Sequence, residues 1–428
     1  MDIGQEIYNL CVELFPICRS ITGNGVRETL RIINKHLPAL KTYEVPTGTR
    51  AFDWTVPKEW NINDAYIIDP DGNKIVDFSE NNLHVVGYST AVNQSLSLDE
   101  LQPHLYSLPE QPDAIPYITS YYQERWGFCL THNQRQALKP GIYQVFIDST
   151  HTQGSLTYGE LIIPGKTPQE IFLSSYICHP SMANNELSGP AVTSFLAKWL
   201  QNRDNRRYSY RIVFIPETIG AIVYLSRNLA EMKEKMIVGF NINCIGDDRA
   251  YSYLASRYGN TLADTVARHV LSHLHPNFVT YSYLDRASDE RQYCSPGIDL
   301  PVATMMRTKY GAYPEYHTSL DNLDFISPSG LYGGYEVMAY CLECLERNDT
   351  LKTKILCEPH LGKRGLYPTL STKNSKQIVQ NMMNLIAYSD GTNDLISIAE
   401  IIGVPAWDLF SIVDNLIEHQ LLEVSREK

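Results

Sequence analysis

The chain has 428 residues, 36 of them Lys or Arg and 48 Asp or Glu, for a formal net charge of −12, with 43% hydrophobic and 20% charged residues. That length exceeds one small bundle, and the composition excludes collagen-like, low-complexity and largely disordered classes. The acidic balance, with no cluster of basic residues, argues against nucleic-acid backbones and anionic membranes as partners.

The first residues, MDIGQEIYNLCVELF, carry early acids and no basic stretch ahead of an apolar run, so no secretory signal is expected. No apolar run reaches the roughly 18 residues that span a bilayer. Nine cysteines scattered from Cys11 to Cys357 suit free thiols, and a cytoplasmic location is expected.

Residues 5 to 38 read as two helices separated by PICRSITGNG, with Leu30, Ile33 and Leu37 on one helical face. From 46 to 154 the texture turns to short β-like runs, AYIIDP, KIVDF and LHVVGYS, with the turn signals PDGN and SENN. After Leu156, strands such as EIFLSSYICHP, YRIVFIPET, IVGFNIN and PVATMMR alternate with helices of several turns. That alternation predicts a largely parallel sheet covered on both faces, with ligand sites at the carboxyl ends of its strands.

The last stretch, 366 to 428, reads as three short helices and a strand, with DGTN as a turn: a winged-helix-like module. It carries four Lys or Arg against eight Asp or Glu. Counterion release cannot drive DNA binding there, which favours a packing or oligomerisation role and a homo-oligomer through this module.

Three segments that follow strands gather polar residues. CHPSMANNELSG places His179 and Glu186 where they can converge on a cation, FIPETIG puts Glu217 directly after an apolar strand, and PEYHTSLDN offers His317 with Thr318 and Asp321. Catalytic zinc takes three nitrogen or oxygen ligands and keeps one open position, with a further carboxylate to move the proton. Cys178 and His179, as neighbours on a strand, are expected to point apart.

HPSMANNELSG, ETIG and EYHTSLDN, in this order, resemble the zinc-dependent aminopeptidases of α/β/α fold, and more closely a bacterial aminopeptidase-like family with an N-terminal motif similar to PICRSITGNGVRETL. The resemblance covers nearly the whole chain. It implies an α/β/α zinc-exopeptidase-like core over 1–45 and 155–365, an inserted β-rich domain over 46–154, and a C-terminal winged helix over 366–428. His179 and His317 match histidine ligands and Glu217 the general base. Three positions depart: Asn185 followed by Glu186, Thr218 after Glu217, and Asn243 stand where the co-catalytic enzymes carry carboxylate ligands.

Three missing anionic ligands argue against a two-zinc cluster, because two dications about 3.5 Å apart need carboxylates to offset their repulsion. The expectation is therefore one Zn2+ per chain held by His179, Glu186 and His317, with Glu217 as the proton carrier. It would cleave an amide or peptide bond in a small peptide or peptide-like substrate, without nucleic-acid or membrane partners. Two alternatives stand beside it: deacylation of a modified sugar or biosynthetic intermediate, and a non-catalytic binding protein on the same scaffold. Asp289, Glu290 and Arg291 of SDERQYC are expected near the site, where Arg291 has the fork to hold a carboxylate. Arg19, Arg307 and Tyr310 invite weaker suspicion, and no substrate-binding residue is assigned.

Overall fold

A computed structural model describes residues 2–366 and 373–425, so residues 367–372 and 426–428 of the expected C-terminal module lie outside the described residues. The chain divides into two compact units, Met1–Ala263 with Val279–Glu336, and Asp264–Phe278 with Val337–Lys428.

In the first unit an eight-stranded sheet runs in the order Lys41–Pro46, Ser155–Ile163, Ser209–Ile215, Glu170–Tyr176, Met236–Ile242, Val302–Met306, Ser252–Leu254, Val279–Tyr281. The four central strands, from Ser209–Ile215 to Val302–Met306, are parallel. Glu170–Tyr176 is buried at every position, as a strand covered on both faces must be. From it the chain crosses through the helix Ser188–Gln201 to the strand on one side, then returns through Ile219–Lys235 to the strand on the other. Right-handed crossovers running in opposite directions put these helices on opposite faces, which makes an α/β/α sandwich and leaves a crevice where the direction reverses.

The start of Ser188–Gln201 lies hard against the sheet: a Cβ on Gly189 would meet Ile242 O at 2.4 Å and Ser175 Oγ at 2.5 Å, so only glycine fits the end of the ELSG sequence.

In chain order, the residues between Lys41–Pro46 and its sheet neighbour Ser155–Ile163 include a four-stranded antiparallel sheet built from Glu59–Ile68, Lys74–Asp77, Val92–Ser97 and Ile142–Thr152. LHVVGYS, expected as a strand, is not one. Asn82–His84 form a 3-10 turn and Val85 makes only an isolated bridge, because Tyr88 sits at φ 65° and Ser89 N–H turns back to Val86 O.

The motif PICRSITGNGVRETL is stapled to this module. Arg27 ion-pairs with Glu59, which also accepts from Ser155 N–H at 3.0 Å and Asn61 Nδ2 at 3.0 Å. Burial alone would raise the Glu59 carboxyl, but these donors win and hold it near 2. A depressed carboxylate stabilises the fold above its unfolded value, roughly 4.3, and that contribution is lost as pH falls toward 2. Glu59→Gln is therefore expected to flatten the loss of stability between these two pH values, measured as denaturant midpoint against pH. An unchanged slope would refute the staple.

In the second unit, Thr350–Thr353, Asp390–Asp394 and Leu422–Val424 pair in one antiparallel sheet beside the helices Lys373–Tyr388, Leu395–Ile402 and Ala406–Glu418. DGTN, expected as a turn, lies in the edge strand Asp390–Asp394, whose pairing with the central Thr350–Thr353 shifts register. Pro405 is the N-cap of Ala406–Glu418. Among the described residues no single helix is long and apolar enough to cross a membrane.

Candidate active site

Four residues with side chains adopt the left-handed region around the carboxyl ends of the central strands: Ser181 at φ 38°, Thr218 at 63°, Cys244 at 46° and His317 at 57°. Such strain persists only where surrounding structure enforces it, and it clusters at functional sites. It marks the same crevice that the topology selects.

His179 follows the strand Glu170–Tyr176 and is 5% exposed. Its Nδ1 lies 2.9 Å from Glu186 Oε2, and its Nε2 faces Glu217 Oε2 at 3.7 Å. With Nδ1 held by a carboxylate, Nε2 is the ring nitrogen that faces the cleft. The His317 ring lies 5.5 Å from that of His179, centre to centre, and Tyr117 packs edge-on against both at 5.1–5.2 Å. His317 Nε2 is buried with no hydrogen-bond partner. Burial and the neighbouring His179 push His317 down to about 3, so it is neutral and its lone pair is free.

Glu186 does not join His317, which corrects the expected ligand triad. Cys178, His179 and Glu186 bring ligand atoms within 4.8 Å of one another, but among the described residues His317 belongs to no such group, with Glu186 or with Glu217. A π-helical turn, Ala183–Leu187, carries Glu186 to the Nδ1 side of His179. There Arg19 Nε stands 3.3 Å from Glu186 Oε1, with neither side chain exposed. A dication in contact with Glu186 would meet that guanidinium. Glu186 is thus the group that orients His179, and Arg19 is its counter-ion.

Arg19 also donates to His179 O at 3.0 Å and to Leu14 O at 2.8 Å. Sequence had flagged Arg19 only through PICRSITGNG. Two of its partners, His179 and Glu186, lie about 160 positions downstream, so no local pattern could assign them.

Cys178 and His179 do approach, Sγ to Nδ1 at 3.6 Å, because both lie beyond the last regular strand residue, Tyr176, where alternation no longer holds. The thiol is no nucleophile: burial pushes it up to about 11, and its sulfur accepts from Glu217 N–H at 3.2 Å.

Glu217 stands at the end of Ser209–Ile215, and its side chain is 21% exposed. Burial raises its carboxyl above the usual range, although His179, Ser288 and Arg291 pull the other way. Asp289 accepts from Thr218 N–H at 2.7 Å and pins the strained turn. Glu290 is structural: its two oxygens accept from Ala287 and Ser288 N–H, Tyr310 O–H, Asn241 Nδ2 and Thr304 O–H. Arg307 likewise donates to Ala250 O and Gly330 O.

Asp321 reaches back to accept from Asn184 N–H at 2.6 Å and Asn185 N–H at 2.9 Å, fixing the π-helical turn against the His317 loop. From the sequence it stands only as a polar neighbour of His317.

A cavity of about 330 Å3 opens over this set, lined among others by His179, Glu217, Arg291, His317, Tyr117 and Tyr121. Tyr117 and Tyr121 come from the segment between the β-rich strands, docked by Tyr117 N–H to His317 O at 2.8 Å and Ser319 N–H to Ile115 O at 2.9 Å. Neither tyrosine had a sequence signal, since both lie in an irregular stretch far from the other site residues.

His179, Glu217 and His317 line the cavity, and two imidazoles with a carboxylate are donors that zinc takes. The positions that would supply further carboxylates hold the neutral amides Asn185 and Asn243, tied to Tyr176 O–H at 2.8 Å and Ser288 Oγ at 3.4 Å.

Residues 8–348 match the family model described as "Domain of unknown function (DUF4910)". The chain belongs to this family. Residues 349–424 match a winged helix-turn-helix model. A Clostridium acetobutylicum protein named "Putative polysaccharide biosynthesis protein with aminopeptidase-like domain" is 45% identical over 425 residues, 99% of this chain and 97% of its own.

A solved structure of a peptidase, so named with the qualifier "putative", from the same organism shares 45% identity. It covers 98% of this chain and 96% of its own, with a TM-score of 0.93. BSAP, a zinc aminopeptidase from Bacillus subtilis, is 11% identical with a TM-score of 0.58, covering 79% of this chain and 94% of its own. This DUF4910 member therefore has the fold of bacterial zinc aminopeptidases, with a winged helix at its C-terminal end.

Proposed function

We propose that the protein is a one-zinc hydrolase of amide or peptide bonds, with the cation held by His179 Nε2 and His317 Nε2 and with Glu217 carrying the proton. The observation that carries this reading is the pair of imidazoles at one cavity wall: His179 locked by Glu186 with Nε2 inward, and His317 Nε2 buried and unpartnered. A zinc ion there supplies Lewis acidity toward a carbonyl oxygen and a water. Glu217, raised by burial, accepts the water's proton and returns it to the leaving amine. Tyr117 and Tyr121 narrow the cavity and exclude water, which favours a small substrate. Residues 46–154, as the inserted domain that supplies both tyrosines, would then set specificity.

The name of the 45% identical relative supports an amide on a sugar or its precursor as a second reading of the substrate. The nine free cysteines support a cytoplasmic location, and the acidity of residues 366–428 supports self-association of that module over DNA binding.

Metal analysis tests the centre. About one zinc per chain is expected in the purified protein, falling at least about tenfold in occupancy in His179→Ala and in His317→Ala. Zinc retained by both variants would remove the proposed site. A protein that takes up no zinc would leave the non-catalytic reading.

A further inference from the structure

Next to the cavity just described lies a second, larger groove of about 690 Å3, and Arg291 lines both. Its walls include Arg257, Ser282, Tyr283, Arg286, Arg291 and Gln292, and no Asp or Glu is among its lining residues. In a chain of net charge −12 this is an uncommon concentration of one sign.

The guanidinia are held in place. Arg286 lies 4.6 Å over the Tyr283 ring and donates to Tyr283 O at 3.2 Å, and Arg257 lies 4.7 Å over Tyr258. Arg257 is also ion-paired with Asp299, and Arg291 stands near Glu217 and Asp289, so two of the three charges are partly offset. Asp285 is exposed nearby, but its carboxylate is taken up by Ser282 N–H and O–H at 3.1 and 3.2 Å. Arg291 donates through Nη2 to Thr218 Oγ1 at 2.6 Å, while its Nε is buried without a partner.

We propose that this groove is an anion subsite: Arg286 and Arg291 bind a phosphate or carboxylate tail of the substrate while the bond to be cleaved lies between His179 and Glu217. This rests on the hydrolase reading only for what happens in the first cavity. The binding chemistry itself needs only the arginines: planar forks match oxyanions bidentately, and stacking on tyrosine reduces the ordering cost of binding. The junction at Arg291 explains why a side chain anchored beside Glu217 leaves a donor uncommitted. It also makes the expected substrate an anionic amide rather than a neutral peptide.

The test is calorimetric titration of the full-length protein with inorganic pyrophosphate and, separately, with citrate at low ionic strength. Saturable binding is expected for at least one of them, weakened at least about tenfold by Arg286→Glu and by added salt, and unchanged by Arg31→Glu on a remote helix. Preference for pyrophosphate assigns a phosphate tail, and preference for citrate a carboxylate one. Repeating the titration in His179→Ala removes any contribution of a bound metal, and binding is expected to persist. No saturable binding of either anion, or binding that Arg286→Glu leaves unchanged, overturns the subsite. Zinc content measured on the same samples reports separately on the hydrolase reading: wild-type protein without zinc that still binds the anion sinks the hydrolase and leaves the subsite.

Discussion

Replacing Arg19 by alanine is expected to destabilise the first unit by about 3–5 kcal/mol, the usual cost of leaving one member of a buried ion pair alone. Arg19 is 1% exposed and Glu186 0%. Removing the guanidinium leaves the buried Glu186 carboxylate with His179 Nδ1 as its remaining partner, and it also takes donors from His179 O and Leu14 O. Lysine is not a substitute, because Arg19 uses Nε and Nη1 in different directions at once.

The double variant Arg19→Ala with Glu186→Gln is expected to lose less than the sum of the single changes, since no isolated charge remains. Urea unfolding of the four proteins decides it. A single variant within about 1 kcal/mol of wild type, or strict additivity, would show that the pair is not coupled in this way. Glu186→Gln alone should also loosen zinc, because the neutral amide no longer fixes the His179 tautomer as firmly.

Glu217→Gln is expected to lower kcat by about 10^2–10^4 with zinc content unchanged. The amide keeps the size of the side chain but cannot take a proton, and no other carboxylate lies in the position facing His179 Nε2. Cys178 cannot replace it, with its thiol held at about 11 by burial. The measurement is turnover of a panel of aminoacyl amides, dipeptides and N-acyl amino sugars by zinc-loaded wild type and variant. Turnover that survives the substitution would remove Glu217 as the proton carrier, and turnover confined to acidic members of the panel would agree with the arginine-lined groove.

These two residues also show how unevenly the sequence speaks. Glu217 was legible because it follows an apolar run that can only be a buried strand, and strand ends in a parallel sheet are where sites form. His179 and His317 were legible for the same reason, each in a polar loop beside such a strand or helix. The helices and central strands of the first unit were set by periodicity and burial, which are properties of short windows. LHVVGYS and DGTN misled because such windows do not show whether a positive-φ residue interrupts a run or whether a distant strand offers a partner to a turn-like one.

What the chain's order of residues determined, then, was the parallel α/β core, the strand-end location of the site and the absence of carboxylates at 185, 218 and 243. Only the tertiary structure decided that Glu186 faces Arg19 instead of the cleft, that Tyr117 closes over the two histidines, and that Arg291 joins two cavities. Each of these is a contact across more than 50 positions of sequence, and such contacts are fixed by packing and by the need to neutralise buried charge, not by local propensity.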